Sequence, residues 1–158
     1  MKESLVEAKE ELKRADHLIY VTLKYTRTVD VIKNIIERII AAFNSGINSL
    51  IEYSVEKKIM DISDIPQNPT QRCEIIKKKL SKEEKIPEFL DFYIFLRRIN
   101  RAKYFGLREY RKHVTMVVHL DDGEIIEINI EKIHEYYDKA KNFVLEHVKR
   151  IIEETPDD

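Results

Sequence analysis

Apolar residues recur every three to four positions over most of the chain, which is the period of an amphipathic helix. Ser4 and Glu7 form a capping box, an arrangement that commonly begins a helix. The stretch 60–70 contains two prolines and no periodicity, which predicts a loop. The pattern predicts helices at about 4–27, 30–58, 70–80, 87–104 and 131–153.

Three of these helices follow a residue whose side chain can cap them. The candidate caps are Asp30, Thr70 and Asn129. Within the second helix, the triplet ending at Gly46 resembles a turn, but the apolar phase continues across it without a slip. We therefore predict one long helix over 30–58, with a break at Gly46 as the alternative.

After Val114 the period changes to two, which is the period of a β-strand. Two runs rich in β-branched residues, VTMVVHL and EIIEINI, flank the sequence Asp121-Asp122-Gly123. Because Asp-Gly supplies the positive φ angles of a tight turn, a β-hairpin is predicted at about 114–130. An isolated hairpin is only marginally stable in water, so it must pack on the helices or pair with a second chain.

Together these elements predict a mainly α protein. The expected architecture is an up-and-down bundle of four to five helices with one inserted β-hairpin before the last helix. The 158 residues, 43% of them hydrophobic, are enough for one core, and no linker marks a second domain. We expect a single domain over 1–158 with a frayed acidic tail at 154–158.

The chain carries 28 Lys and Arg against 29 Asp and Glu, a net charge of −1. This balance excludes attraction of the whole molecule to nucleic acid or to an anionic membrane. The longest run without charged residues, Ile39 to Ile51, is shorter than the roughly 18 residues that span a bilayer. The N-terminus lacks the pattern of a secretory signal, so a cytoplasmic protein is expected. The frequent Lys, Glu and Ile residues of the whole chain resemble the amino-acid usage of hyperthermophile proteins.

Several chemistries lack the residues that they need. The three glycines stand apart at 46, 106 and 123, so neither a P-loop nor a dinucleotide fingerprint can be written. Cys73 is the only cysteine, which excludes an internal disulfide and a multi-thiolate metal site. No predicted element carries a chelating pair of histidines. We expect no metal site and no cofactor.

The segment 97–113 is strongly basic. It contains seven Lys and Arg residues against one acid, Glu109, and three aromatic residues, Tyr104, Phe105 and Tyr110, lie between them. Guanidinium groups pair with phosphates and rings stack on bases, so the segment predicts a surface for RNA or a nucleotide. The alternative is that the arginines pair with neighbouring carboxylates while the rings enter the core. The predicted anion-binding residues are Arg97, Arg98, Arg101, Lys103, Tyr104, Arg108, Arg111 and Lys112.

Arg108 and His113 are separated by four residues, and this Arg-x4-His spacing resembles that of HEPN-domain ribonucleases. The first two predicted helices are similar to the long antiparallel helix pair of HEPN proteins in Ala15-Asp16-His17-Leu18, Tyr20, Tyr25, Ile39-Ile40-Ala41-Ala42, Ile47 and Tyr53. The resemblance implies a homodimeric helical bundle in which Arg108 and His113 meet at a composite cleft. There, without a metal, Arg would neutralise the phosphorane and His would transfer protons.

Three functions are therefore expected from the sequence. The first is a HEPN-like module that binds RNA or a nucleotide through 97–113. The second is a metal-independent endoribonuclease that uses Arg108 and His113, and the third is a non-catalytic protein-interaction or dimerisation module. We expect a homodimer, because Leu18, Val21 and Tyr25 lie away from the main apolar stripe of the first helix. Pairing through an uncovered strand edge at Val114 to Leu120 is the alternative route.

Overall fold

A computed structural model describes residues 2–154 of the chain. Within these residues it contains five helices and a three-stranded antiparallel sheet, which confirms a mainly α fold. The predicted tail at 154–158 lies outside the described residues beyond Glu154. The helices are α1 (Lys2–His17, the π-helical Leu18–Thr22 and Leu23–Tyr25), α2 (Val29–Glu56), α3 (Pro69–Lys79), α4 (Ile86–Arg101) and α5 (Ile130–Asn142, the π-helical Phe143–Val148 and Lys149–Glu154). The strands are β1 (Lys103–Leu107), β2 (Thr115–His119) and β3 (Ile125–Ile128).

Helix α2 runs through the centre of the molecule and packs along α1. It begins after Thr28, whose hydroxyl accepts a hydrogen bond from the Val31 amide, so Asp30 is not the cap. The helix continues without a break through Gly46, and the alternative of a break there is wrong. A Cβ at Gly46 would lie 2.8 Å from a ring carbon of Phe143, so glycine is needed for the close approach of α5.

The shorter helices also follow their sequence signals. Helix α3 begins after Asn68, whose side chain accepts from the amides of Thr70 and Gln71, so Asn68 caps the helix in place of Thr70. Pro87 lies in the first turn of α4. This position favours proline, because the N–H groups of the first turn have no acceptor within the helix. Asn129 caps α5 through the Lys132 amide, as predicted.

The predicted hairpin is confirmed as β2 and β3, with Gly123 at φ +87° in the turn. The structure adds β1, whose residues were predicted to be the end of a helix and part of a loop. Since β1 pairs with β2, the strand order is β1-β2-β3 and β2 is the central strand. The prediction of an uncovered edge at Val114 to Leu120 is therefore wrong.

The sheet packs one face against the helices. Its inner residues Met116, Val118 and Ile128 are completely buried in the core that the helices share. The hairpin is thus stabilised by the bundle of its own chain, which is one of the two solutions expected for it. On the outer face of the sheet Phe105 and Ile125 are exposed, whereas Thr115 and Val117 of the central strand are buried.

Candidate nucleic-acid interface

The basic segment 97–113 is divided among three structural elements. Its first residues complete α4, Lys103–Leu107 form β1, and residues 108–113 form the loop that leads toward β2. Neighbouring residues differ in direction by about 100° on a helix and point to opposite faces on a strand. The cations of this segment therefore lie on more than one surface.

The arginines at the end of α4 have different surroundings. Arg97 is half-buried and packs over an aromatic ring of its own helix. Arg98 forms an ion pair with Asp122 in the β2–β3 turn, with 3.3 Å between nitrogen and oxygen. Arg101 is exposed and lines a groove of about 200 Å³ together with Arg98 and Asp121. Arg101 thus presents a charge beside the first residue of β1.

The outer face of the sheet presents an exposed aromatic ring. Phe105 is 47% exposed, and its ring centroid lies 5.4 Å from that of His119 on β2. Lys103 is exposed and stands directly opposite His119 in the strand register, so positive charge lies beside the rings. Such an arrangement allows an unpaired base to stack on a ring while a cation contacts its phosphate.

Tyr104, which the sequence analysis included in the site, lies on the opposite face of β1. Its hydroxyl is 3.5 Å from Asp30 Oδ1, and the ammonium of Lys33 lies 5.2 Å from its ring centroid. Burial and the Asp30 carboxylate raise the pKa of this hydroxyl. Phe105 and His119 were not among the predicted site residues. The signal that identifies them is the strand alternation, which becomes readable once β1 is recognised.

The loop 108–113 has an unusual backbone. Arg108 and Tyr110 adopt left-handed conformations, with φ of +55° and +64°, which non-glycine residues rarely adopt. The Tyr110 amide donates a hydrogen bond of 2.6 Å to the carbonyl oxygen of Arg27, which holds the loop against the start of α2. In this conformation the side chains of Arg108, Arg111, Lys112 and His113 are all exposed.

Glu109, the one acid of the segment, is bonded to the start of α2. Its Oε1 accepts a hydrogen bond of 3.0 Å from the Val29 amide, which belongs to the first residue of the helix. A carboxylate at this position also interacts favourably with the helix dipole. Gly106 leaves room for it, because a Cβ there would lie 2.9 Å from Glu109 Cδ. The acid thus has a structural partner within a segment that otherwise exposes cations.

The alternative in which the arginines are paired and the rings are buried is contradicted for most of the segment. Among the described residues, Arg98 is the only one of its seven basic side chains in an ion pair. Phe105 is 47% exposed and Tyr110 is 77% exposed. We use the term basic face for the exposed residues that remain on the outer face of the sheet and on the two segments that flank β1: Arg101, Lys103, Phe105, Arg108, Arg111, Lys112, His113 and His119.

Arg108 and His113, the pair suggested by the HEPN resemblance, begin and end the loop 108–113. Both are exposed, and His113 offers its carbonyl oxygen to the Thr115 hydroxyl at 2.9 Å, which fixes its backbone beside β2. The imidazole remains available to solvent on the basic face. The structure therefore brings the two residues to one loop, and a catalytic role for them stays a prediction.

The predicted dimer face is exposed only in part. Val21 is 43% exposed and Tyr25 is 81% exposed, whereas Leu18 is half-buried and packs on the core. Tyr20, which is 54% exposed, lies beside them and its ring stands edge-on to that of His134, 5.2 Å away. The π-helical segment Leu18–Thr22 explains why these apolar residues leave the main stripe, since it inserts an extra residue into the helical turn.

Neither family models nor curated proteins nor solved structures gave a match to this chain. The resemblance to HEPN domains therefore rests on the residues quoted above and stays a prediction. The described residues contain no cluster of three or more His, Cys, Asp or Glu that could hold a metal ion. No helix in the described part of the chain is long and apolar enough to cross a membrane, and the cytoplasmic location stays a prediction.

Proposed function

We propose that the protein is a HEPN-like module that binds single-stranded RNA through the basic face. The observation that carries this proposal is the exposed ring of Phe105 on the same face of β1 as Lys103, a cation that forms no ion pair among the described residues. Cations supply affinity by displacing the counterions of the phosphates, and a ring supplies stacking that does not depend on base identity. The proposed interaction is therefore electrostatic with little sequence preference.

The spread of the cations favours a polymer over a single nucleotide. Lys103 and Leu107 stand at the two ends of β1, and four residue steps along a strand span about 13 Å. Arg101 lies beyond the first end and the loop 108–113 lies beyond the second. A mononucleotide contacts one end of this arrangement, whereas an extended strand contacts both ends and the ring between them.

Salt dependence tests this proposal. We expect the affinity for a fluorescent oligouridine, measured by anisotropy, to fall as salt rises, with a log–log slope of about −2 to −3.5 for three to five phosphate contacts. Changing Arg101 and Arg111 to Glu together should abolish binding. Lys78→Glu with Lys82→Glu gives the same charge change on exposed residues of α3 and of the segment between α3 and α4, and should leave binding intact. Binding that ignores salt, or equal loss in both double variants, contradicts the proposal.

Stacking is tested separately from charge. Phe105→Ala removes the exposed ring without changing any charge, and loss of one stacked base weakens affinity by about 5- to 150-fold. Leu107→Ala is the matched control, because Leu107 lies on the same face and strand and is 39% exposed. Equal affinities for the two variants would show that the sheet does not contact bases.

RNA cleavage is a second candidate function, favoured by the exposure of Arg108 and His113 on one loop of the basic face. If these residues act together, RNA is cut in the presence of a metal chelator. His113→Ala and Arg108→Ala should each then reduce the rate by at least about two orders of magnitude, as expected for proton transfer and for charge stabilisation. Cleavage that survives both changes belongs to another site or to a contaminant.

We also propose a homodimer formed through α1, supported by the exposure of Tyr20, Val21 and Tyr25 on one segment. A two-fold dimer is the commonest way to cover such a patch. Mass measurement at micromolar concentration should give twice the chain mass, and Val21→Asp should give the chain mass with an unchanged helical signal. A dimer that persists in Val21→Asp points to pairing through the edge strands β1 or β3.

A further inference from the structure

A polar pocket lies between α2, α3 and α4, away from the sheet. Its volume is about 220 Å³, and most of the residues around it carry polar side chains. None of these residues is an acid, although the chain has 29 Asp and Glu. The lining residues are Asn44, Ile47, Asn48, Gln67, Pro69, Arg72 and Tyr93.

One guanidinium group, that of Arg72, lines this pocket, and a second, that of Arg97, lies against the lining residue Tyr93. Arg72 on α3 is half-buried and donates to the side-chain oxygen of Asn48. Arg97 on α4 is half-buried, and its guanidinium carbon lies 5.8 Å from the centre of the Tyr93 ring. No ion pair joins either arginine to a carboxylate of the described residues. Half-buried cations without a counter-charge indicate a site where an anion is accommodated.

The hydrogen bonds around the pocket leave donors unused. The Tyr93 hydroxyl donates to the side-chain oxygen of Asn44, and Arg72 uses the corresponding oxygen of Asn48. Each asparagine therefore keeps its amide N–H groups, which are donors. Burial raises the pKa of the Tyr93 hydroxyl, while the Arg97 guanidinium opposes that shift, so the cation lies close enough to act on this group.

The start of α3 adds to the positive potential. Gln67 and Pro69 line the pocket, and Pro69 is the first residue of this 11-residue helix. The amides of Thr70 and Gln71 are already bonded to Asn68, so the helix contributes its dipole rather than free amides. The potential from the helix has the same sign as that from the two arginines.

From this geometry we infer that the pocket binds a small oxyanion of the phosphate or phosphate-monoester class beside Arg72 and the Tyr93 hydroxyl, on which the charges of both Arg72 and Arg97 act. Guanidinium groups suit this class because they donate parallel hydrogen bonds to two oxygens of one group. The volume of 220 Å³ is below the roughly 300 Å³ at which pockets for drug-sized ligands begin, so the anionic group enters and larger parts remain outside. The site is separate from the basic face, since Arg98, the residue after Arg97, turns toward Asp122.

Calorimetric titration with inorganic phosphate and with ribose 5-phosphate tests the inference, with chloride at matched ionic strength as the blank. We expect saturable binding to the full chain, weakened at least about tenfold by Arg72→Gln and by Arg97→Gln. Arg14→Gln, which changes an exposed arginine of α1 outside both sites, is the matched control and should bind as the unchanged protein does. Tighter binding of the sugar phosphate identifies a monoester as the ligand, and equal affinities identify free phosphate.

Thermal unfolding in phosphate-free buffer separates binding from a structural role. Because Arg72→Gln removes one of two cations that form no ion pair, its Tm should equal or exceed that of the unchanged protein. Added phosphate should raise the Tm of the unchanged protein but not that of Arg72→Gln. The inference is overturned if the folded, unchanged protein shows no saturable heat at about 20 mM of either probe, well above metabolite-range affinities. It is also overturned if both Arg→Gln variants bind with unchanged affinity. Neither result affects the proposed RNA binding, which is measured on other residues.

Discussion

Replacing Glu109 by Ala should change stability and RNA affinity in opposite directions. The carboxylate accepts the Val29 amide at 3.0 Å, and Val29 is a buried residue at the start of the central helix. Without it, this amide loses its acceptor in a site that water reaches poorly. The same change removes the single negative charge from the loop beside Arg108 and Arg111, so phosphate binding should improve.

The size of the stability effect follows from the kind of bond that is lost. A side chain that caps a helix contributes about 1 kcal/mol, and an interaction with the helix dipole adds about 0.3–1 kcal/mol at exposed positions. Because Glu109 is an exposed residue, we take the lower end of the dipole contribution, which gives a total of about 1.3 kcal/mol. For a chain of 158 residues, 1 kcal/mol lowers the Tm by about 2–4 °C. The expected fall is therefore about 3–5 °C.

A double-mutant cycle with Gly106 makes this prediction specific. A Cβ at Gly106 would meet Glu109 Cδ at 2.9 Å and Val29 Cγ1 at 3.0 Å, so Gly106→Ala alone should displace the carboxylate. In the Glu109→Ala background most of this crowding is absent, so Gly106→Ala should lower the free energy of unfolding by less. Denaturant unfolding should give a coupling free energy of about 0.5 kcal/mol or more between the two sites. Additive effects, or a Glu109→Ala variant as stable as the unchanged protein, would refute the assigned role of Glu109.

Three further predictions concern the interior. Gly46→Ala should lower the Tm measured by thermal unfolding by about 2–4 °C. The added methyl would lie 2.8 Å from the buried Phe143 ring, and this overpacking outweighs the gain in helix propensity. Burial raises the pKa of the Cys73 thiol to about 11, so a thiol reagent at pH 8 should modify it only after denaturant is added. Burial raises the pKa values of Tyr136 and Tyr137 to about 12, above the value of about 10 for tyrosine in the unfolded chain. The free energy of unfolding should therefore be constant up to about pH 10 and fall between pH 10 and 12. Denaturant unfolding measured across this range tests it, and a constant free energy would contradict the burial of these hydroxyls.

The helices and the hairpin were predictable because their signals are periodic. The apolar stripe of α2 stays in phase across Gly46, and the Asp-Gly turn between two β-branched runs marks β2 and β3. Strand β1 was missed for a physical reason. Its sequence, KYFGL, is short and contains a glycine, which weakens the strand signal, and it directly follows a strong helix.

Missing β1 also affected the candidate site. Read as a continuous stretch, 97–113 predicts that all its cations act together, whereas the fold places Arg97 over the Tyr93 ring of its own helix and Tyr104 beside Asp30 of α2. The phosphate pocket combines side chains from three helices that are 20 to 50 positions apart in sequence. No local pattern places Asn48 beside Arg72, because that contact depends on how α2 and α3 pack.

The lack of ion-pair partners for the cations of the basic face is not a consequence of composition. The chain has as many acids as it needs to neutralise its 28 Lys and Arg, and elsewhere it places them in register, as in Lys132–Glu135 at 3.3 Å and Arg150–Glu83 at 2.7 Å. Exposed ion pairs stabilise a fold by only about 0–1 kcal/mol each, so leaving cations unpaired has little effect on stability. The same unpaired cations release counterions when they meet phosphates, and each contact then contributes directly to affinity. Cations without ion pairs beside an exposed ring therefore add little to stability, whereas they would contribute directly to the proposed binding of RNA.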